Sequence, residues 1–213
     1  MKTDNASSLT SEELERKLST LPYFKEVRRH DEDQFRLLIE HSRLLLLEPG
    51  EYLVRKGDKD RALYCLVRGE LEACADDNRD SVLGTLRPGE VFGETALLRK
   101  SARTAHIRVP ESGRPSTVFA TDFSVLLEDD GGASLKTQLI FYRQMVHMLR
   151  WRNDAYKIRF PDSPLAREPY LLRPFSGTPG TREELLALRT QAEYLSERLV
   201  SLNRELGQLR TGT

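Results

Sequence analysis

The chain has 213 residues, with 33 basic and 33 acidic side chains and a formal net charge of zero. That length can bury a full core, and the charge balance excludes a global field that would draw the protein onto nucleic acid or an anionic membrane. Cys65 and Cys74 have neither metal-ligand nor disulfide-framework spacing, which leaves a pair of reduced thiols.

The polar start, MKTDNASSLTSEELERK, lacks the apolar core of a secretion signal. No run of about 18 apolar residues follows, so the expectation is a soluble, cytoplasmic protein without membrane contact. The first element reads as a capped helix, with Thr10 and Glu13 at capping-box spacing and Leu9 stapled to Leu14. Leu14, Leu18 and Leu21 mark its apolar face before Pro22. A second helix starts at Asp31 and buries Phe35, Leu38 and Ile39.

From Arg43 to Leu127 the pattern changes to short β-rich runs (LLLL, YLV, LYCLV, VLGTL, AHIRV, STVFA, SVLL) separated by turn signals such as EPGE, KGDKD and RPGE. Strands at roughly ten-residue spacing with Gly or Pro between them predict a compact antiparallel β-barrel or sandwich.

Helical period returns at 134–153, where Leu135, Leu139, Tyr142, Val146 and Leu149 form one apolar stripe. FPDSPLAREPYLLRPFSGTPG then holds five of the ten prolines and reads as a connector or docking arm. In the last helix Leu185, Leu188, Ala192, Leu195, Leu199, Leu202, Leu206 and Leu209 alternate by 3 and 4, with Thr181 and Glu184 capping its start. Such a stripe either pairs with a second copy or folds back onto its own domain. The strict period and the proline-rich spacer point to a parallel homodimeric coil through 182–210, with Glu184–Arg189 and Glu205–Arg210 as attractive cross-pairs. The segments are thus N-terminal helices (1–42), barrel plus following helix (43–153), connector (154–180) and coiled-coil helix (181–211).

The chemistry concentrates in VFGETALLRKSARTAHIRV, residues 91–109. Gly93 leads a short helical turn whose first amides have no partner within the turn, a place for an anion. Arg103 can approach the same point with a planar fork that fits two phosphate oxygens. Glu94 has the wrong sign for a phosphate but suits a neighbouring hydroxyl, such as a ribose 2′-OH. Small Ala96 and Ala105 let a ligand come close to the backbone. Taken singly, such an Arg or Glu is usually a surface residue and such a Gly a turn.

Together the residues resemble the phosphate-binding cassette of the cyclic nucleotide-binding domain family. Its pattern of apolar-Gly-Glu-x-small-aliphatic, spacer, then Arg-x-Ala-x-aliphatic is met by Phe92-Gly93-Glu94-Thr95-Ala96-Leu97 and Arg103-Thr104-Ala105-His106-Ile107. PGEYLVRKGDKDRALYCLVRGELEA resembles the family's first strands, and the likeness covers about 18–150. It implies a mainly β fold with flanking helices, an antiparallel barrel or jelly roll of the cyclic nucleotide-binding type. It further implies that Arg103 pairs with a cyclic phosphate, that Glu94 accepts from the 2′-OH, and that amides near Ala96 and Leu97 complete the cradle. Thr104 would sit by the phosphate and the purine edge, which leaves cAMP and cGMP both open, and a cyclic dinucleotide with them. The chain departs from the pattern at Ala102, where many members have Pro, and at Asp60 and Cys65, where small and aliphatic residues are common.

The expected function is a non-catalytic cyclic nucleotide receptor with no cofactor, whose ligand closes the 134–153 helix over the base and so signals to the coil or a protein partner. A ligand-less dimerising scaffold is the alternative. A transcription regulator is a further, less favoured alternative, because the roughly sixty residues after the 134–153 helix are proline-rich and then heptad and show no obvious helix-turn-helix, so nucleic acid is not expected; scattered His30, His41, His106 and His147 argue against a metalloenzyme.

Overall fold

In a computed structural model the described residues are 15–16, 18–19, 21–77, 81–123 and 132–210, with side chains through 206. The expected Thr10–Glu13 box, the Leu9–Leu14 staple, the SVLL strand and Leu209 lie outside the described residues and side chains. The chain divides into two compact units, one up to Val125 and one from Leu126.

The first unit opens with α1 (Pro22–His30) and α2 (Glu32–Glu40). Pro22 begins a helix here because a proline lacks only an N–H that the first turn leaves unbonded anyway. Asp31 separates the two helices, its carboxylate accepting from the amides of Asp33 and Gln34. Phe35 and Leu38 are buried as expected, while Ile39 is half-buried. Tyr23 and Phe24 close on Phe123, with ring centroids 5.5 and 6.4 Å away.

Eight strands follow: β1 (Ser42–Leu47), β2 (Tyr52–Val54), β3 (Ala62–Arg68), β4 (Leu71–Cys74), β5 (Val82–Leu86), β6 (Val91–Phe92), β7 (His106–Arg108) and β8 (Ser116–Asp122). They form two four-stranded antiparallel sheets, in the orders β1-β8-β3-β6 and β2-β7-β4-β5. Leu47, Val54, Tyr64, Leu66, Leu71, Phe92, Val109 and Val118 make their shared core. In β3 all five residues from Ala62 to Leu66 are buried, so the run reads as continuously apolar rather than alternating. Both cysteines are free and buried, and burial pushes the Cys65 thiol up to about 12. The short helix α3 (Glu94–Arg99) sits between β6 and β7 in sequence and packs on β3.

The second unit consists of α4 (Leu135–Arg159), α5 (Pro164–Arg167) and α6 (Arg182–Arg210). Here the structure corrects the expected partner of the leucine stripe. Leu185, Leu188, Ala192, Leu195, Leu199, Leu202 and Leu206 are all buried within the single chain. They pack on α4, whose own stripe continues through Leu139, Tyr142, Val146 and Leu149 to the fully buried Asn153. The two helices run parallel. Arg143 chelates Glu184 at 2.8 and 2.7 Å, Arg150 donates to Gln191 at 3.1 Å, and Tyr156 bonds Asn203 further along. Arg189 donates to Gln138 across the other edge of the pair. Glu184 and Arg189, expected to meet across a homodimer, are therefore each engaged by α4. The stripe is covered by α4, which carries an apolar stripe of its own, and the connector is long enough to return the chain to the start of that helix.

That connector straps the pair. The Tyr170 hydroxyl bonds Asp154 at 2.7 Å and the Arg150 carbonyl at 3.4 Å, Leu171 N–H donates to the Tyr194 hydroxyl, and Gln191 donates to the Arg173 carbonyl. Arg198 is buried beneath it and donates to the Leu165 and Ala166 carbonyls of α5 at 2.8 and 3.2 Å. Among the described residues no helix is long and apolar enough to cross a membrane.

Candidate functional site

The site grows out of the β6–α3 turn. Gly93 caps α3 with φ +92°, a left-handed conformation that favours glycine. Space demands glycine there as well. A Cβ at this position would lie 2.5 Å from Arg103 Nη1 and 3.2 Å from both the Ala62 carbonyl oxygen and the Tyr64 ring. The missing side chain lets the arginine lie directly against the backbone.

Arg103 is 5% exposed. Its Nη1 donates to the Gly93 carbonyl at 2.8 Å and its Nη2 to the Ala62 carbonyl at 2.6 Å. The bidentate clasp expected for a phosphate is made with Asp60, through Nε at 2.8 Å and through Nη2. Tyr64 stacks on Phe92, supports the guanidinium with its ring 5.1 Å below, and donates its hydroxyl to Asp60. Burial alone would push the Asp60 carboxyl up, but the hydrogen bonds and charge of Arg103, the Ala62 amide and the Tyr64 hydroxyl bring it below the ordinary carboxylate range. Burial and the neighbouring Asp60 push the Tyr64 phenol up to about 12.

The other residues of the motif gather around this pair. Glu94 opens α3 and is 2% exposed, Ala96 and Leu97 are buried, and Thr95, Thr104 and Ala105 are half-buried. The expected role of the Leu97 amide needs correction. It donates to the Gly93 carbonyl at 3.3 Å as the first bond of the helix, so the amides without a helical acceptor are those that precede it. The Arg103 backbone is fixed by two further bonds, its N–H to the Asp58 carbonyl and its carbonyl from the Gly57 N–H. The 55–60 loop thus places both the arginine and its carboxylate. His106 is buried, and its Nδ1 lies 3.4 Å from the Lys56 amide, which donates to it. Among the described residues no group of three His, Cys, Asp or Glu could hold a metal ion.

Asp60 and Tyr64 are the site residues that sequence reasoning missed. Asp60 was visible only as a departure from the family pattern. Tyr64 was hidden in a uniformly apolar strand, although alternation from Ala62 to Leu66 puts it on the same face as these core residues.

Residues 44–130 match the family model described as the cyclic nucleotide-binding domain. Among curated proteins the chain is similar to the Caenorhabditis elegans cyclic nucleotide-gated channel, 33% identical over 99 residues that make up 44% of this chain and 12% of the channel. It is also similar to the Bos taurus cyclic nucleotide-gated channel beta-1, 27% identical over 142 residues, covering 67% of this chain and 10% of the other. The chain therefore spans about a tenth of the length of these relatives. Among solved structures it resembles the regulatory domain of Toxoplasma gondii PKA co-crystallised with cAMP, with 24% identity, 66% of this chain and 52% of that one covered, and a TM-score of 0.44.

Proposed function

We propose that the unit whose residues 44–130 match the cyclic nucleotide-binding domain model is a non-catalytic receptor for a purine cyclic nucleotide, cAMP or cGMP. The observation that carries the reading is the buried Arg103 guanidinium, held against the left-handed Gly93 at the start of α3 with Glu94 beside it. A cyclic phosphate brings a negative charge that complements this arginine in place of Asp60, and Thr95 and Ala96 offer it backbone amides. Glu94 accepts from the ribose 2′-OH. Thr104 and Ala105 lie on the sequence side from which the base edge is read. Asp60 is an internal anion on the same guanidinium, so it orients the arginine and also competes for its positive charge. The helical unit is the element proposed to carry the signal onward.

The test is calorimetric titration of the purified chain with cAMP, cGMP and a cyclic dinucleotide. One of the two mononucleotides binds, and Arg103→Ala weakens it by roughly 30-fold or more, equivalent to at least about 2 kcal/mol. Arg103→Lys recovers only part of the loss, since an ammonium cannot reproduce the planar fork. Thermal melting of each variant separates lost affinity from lost fold. Undiminished binding by a folded Arg103→Ala protein overturns the assignment.

A further inference from the structure

His106 opens β7, three residues after Arg103, and has no part in the nucleotide contacts proposed above. Its neighbour Ile107 packs on the barrel core, so alternation sets the imidazole on the other face of the sheet, where it is still only 9% exposed. There Nδ1 meets two partners with opposite demands. The Lys56 N–H donates to it at 3.4 Å and needs its lone pair. The Asp77 carboxylate, with Oδ1 3.7 Å away, needs a proton on the same nitrogen. A neutral ring serves the first partner, and an imidazolium serves only the second. Imidazole is the side chain whose charge ordinarily changes between about pH 5 and 8, so one proton selects the partner.

The Lys56 amide belongs to a backbone grip on the arginine. Lys56, Gly57 and Asp58 are consecutive, and all three hold the 103–106 segment. The Gly57 N–H donates to the Arg103 carbonyl at 2.9 Å, and the Asp58 carbonyl accepts from the Arg103 N–H at 2.9 Å. The Asp58 carboxylate closes the loop on itself, accepting from the Arg55 N–H at 2.8 Å. Two residues further on, Asp60 holds the guanidinium. His106 thus ties down the end of the loop opposite to Asp60.

Among the described residues, the charged and titratable groups around the ring are already engaged. Asp77 also accepts from the Tyr52 hydroxyl at 3.1 Å and pairs with Arg55 at 3.5 Å, with 68% of its side chain exposed. The Lys56 ammonium is turned to the Ala75 carbonyl at 3.1 Å. From β2 the Tyr52 ring meets the imidazole edge-on at 5.8 Å and carries the Arg55 guanidinium at 3.9 Å. From β4, Cys74 is the ladder partner of His106. Burial pushes its thiol up and keeps it neutral, against the pull of Arg108 and with Glu72 and Asp76 adding to the rise. Arg108 and Glu72 pair with each other at 3.3 Å.

We propose that His106 is a positioning residue, which holds the 55–60 loop, and through it Arg103, only while its ring is neutral. Acid moves Nδ1 from the Lys56 amide to Asp77, frees that end of the loop and weakens the grip on the Arg103 backbone. Nucleotide affinity therefore falls as pH drops through the imidazole range. The effect on affinity rests on the nucleotide reading, whereas the effect on the loop does not.

The test follows the isotopically labelled full chain by amide hydrogen exchange, and by calorimetric titration with cAMP and cGMP, from about pH 7.5 to about pH 5.5. Protection of the Lys56 and Gly57 amides should fall about fivefold on acidification, and affinity by a similar factor, as for one lost hydrogen bond. The His106 ring signals in the native chain should share the midpoint of that fall. His106→Asn puts Oδ1, an acceptor that stays unprotonated, in the place of Nδ1. It should match the native chain at the upper pH and lose the dependence. His106→Leu should show the weak protection of the acidified native chain at every pH. Flat protection in the native chain, a different midpoint for the ring, or an equal fall in a folded His106→Asn overturns the proposal. Affinity that ignores pH while loop protection follows it confines His106 to the fold and overturns its positioning role. If neither nucleotide binds at any pH while protection still follows the ring, the nucleotide reading fails and the coupling of His106 to the loop stands.

Discussion

Each unit of the molecule buries an arginine, and the two are held by different chemistry. Arg103, in the β unit, keeps a carboxylate on its Nε–Nη2 edge and backbone carbonyls at Nη1 and Nη2. Arg198, in the helical unit, donates only from Nη2, to two carbonyls of α5, and its Nε and Nη1 are buried without a hydrogen-bond partner. Its charge rests against the Tyr170 ring at 5.1 Å. A buried cation with an anion can exchange that anion for another, which is what a phosphate receptor requires. A cation held by carbonyls has nothing to exchange. Burial and residue type are the same in both units, so neither by itself distinguishes a site from a structural clamp.

The largest effect should come from the apolar surface that holds Arg198 in place. Leu195 and Leu202 are each 1% exposed at the α4–α6 seam. Leu195→Asp with Leu202→Asp should unfold the helix pair, each change costing on the order of 4 kcal/mol or more. Circular dichroism should show lost helix, while light scattering gives a monomer mass before and after. A wild-type dimer that these changes dissociate with helix content intact would return the stripe to a two-chain coil.

Asp60→Asn tests the exchangeable half of the comparison. It leaves Arg103 buried without its counter-charge, at a cost of about 1–3 kcal/mol, less than for a fully buried pair because Asp60 keeps 35% of its side chain in solvent. A cyclic nucleotide should then raise the melting temperature of Asp60→Asn by more than it raises that of the native chain, because the incoming phosphate supplies the missing anion. The same carboxylate sets a pH dependence. Asp60, Asp154 and Glu184 all sit below the ordinary carboxylate range: Asp60 and Asp154 against a burial effect that opposes it, Glu184 chiefly through the Arg143 hydrogen bond. Their contribution is complete above the unfolded values near pH 4 and is lost as pH falls through the lower folded values. Melting temperature should therefore fall steeply below about pH 4, and the fall should be shallower in Asp60→Asn.

Arg198→Met should do least. It removes two buried donors that have no acceptor and leaves two carbonyls without their donor, so the change in stability should stay within about 1 kcal/mol by chemical denaturation. A loss as large as that of Asp60→Asn would mean that the two arginines are held alike.

The Gly93–Arg103 motif was legible in the sequence because its information is local. Gly93, Glu94 and Arg103 lie within eleven residues, and the left-handed glycine and the short helix after it follow from residue type alone. The β class was legible for a similar reason, since turn residues punctuate every strand. The partner of α6 was not legible from its period, because a heptad stripe specifies the geometry of its seam and not which chain supplies the other side. A better signal lay in the edge positions. Arg143, Arg150 and Gln138 on α4 complement Glu184, Gln191 and Arg189 on α6 one by one, and the α4 stripe continues in phase to Asn153. That asparagine donates to the Leu195 carbonyl at 3.1 Å and ties the register of the pair at a buried position. Asp60 was illegible for the opposite reason. Its partner is 43 residues away across two sheets, and nothing in the loop itself names it.

The order of strands in the first sheet has a consequence for the growing chain. Among the described residues β8 is the last strand in sequence, yet it lies between β1 and β3, pairing Leu47 with Ser116 on one side and Ala62 with Asp122 on the other. During synthesis at about 5–20 residues per second, the Leu44–Leu47 run therefore waits on the order of 3–14 s for the strand that covers its backbone. For that interval the nascent chain presents an apolar β-edge with no mate, and the 93–105 segment has no completed sheet to stand on.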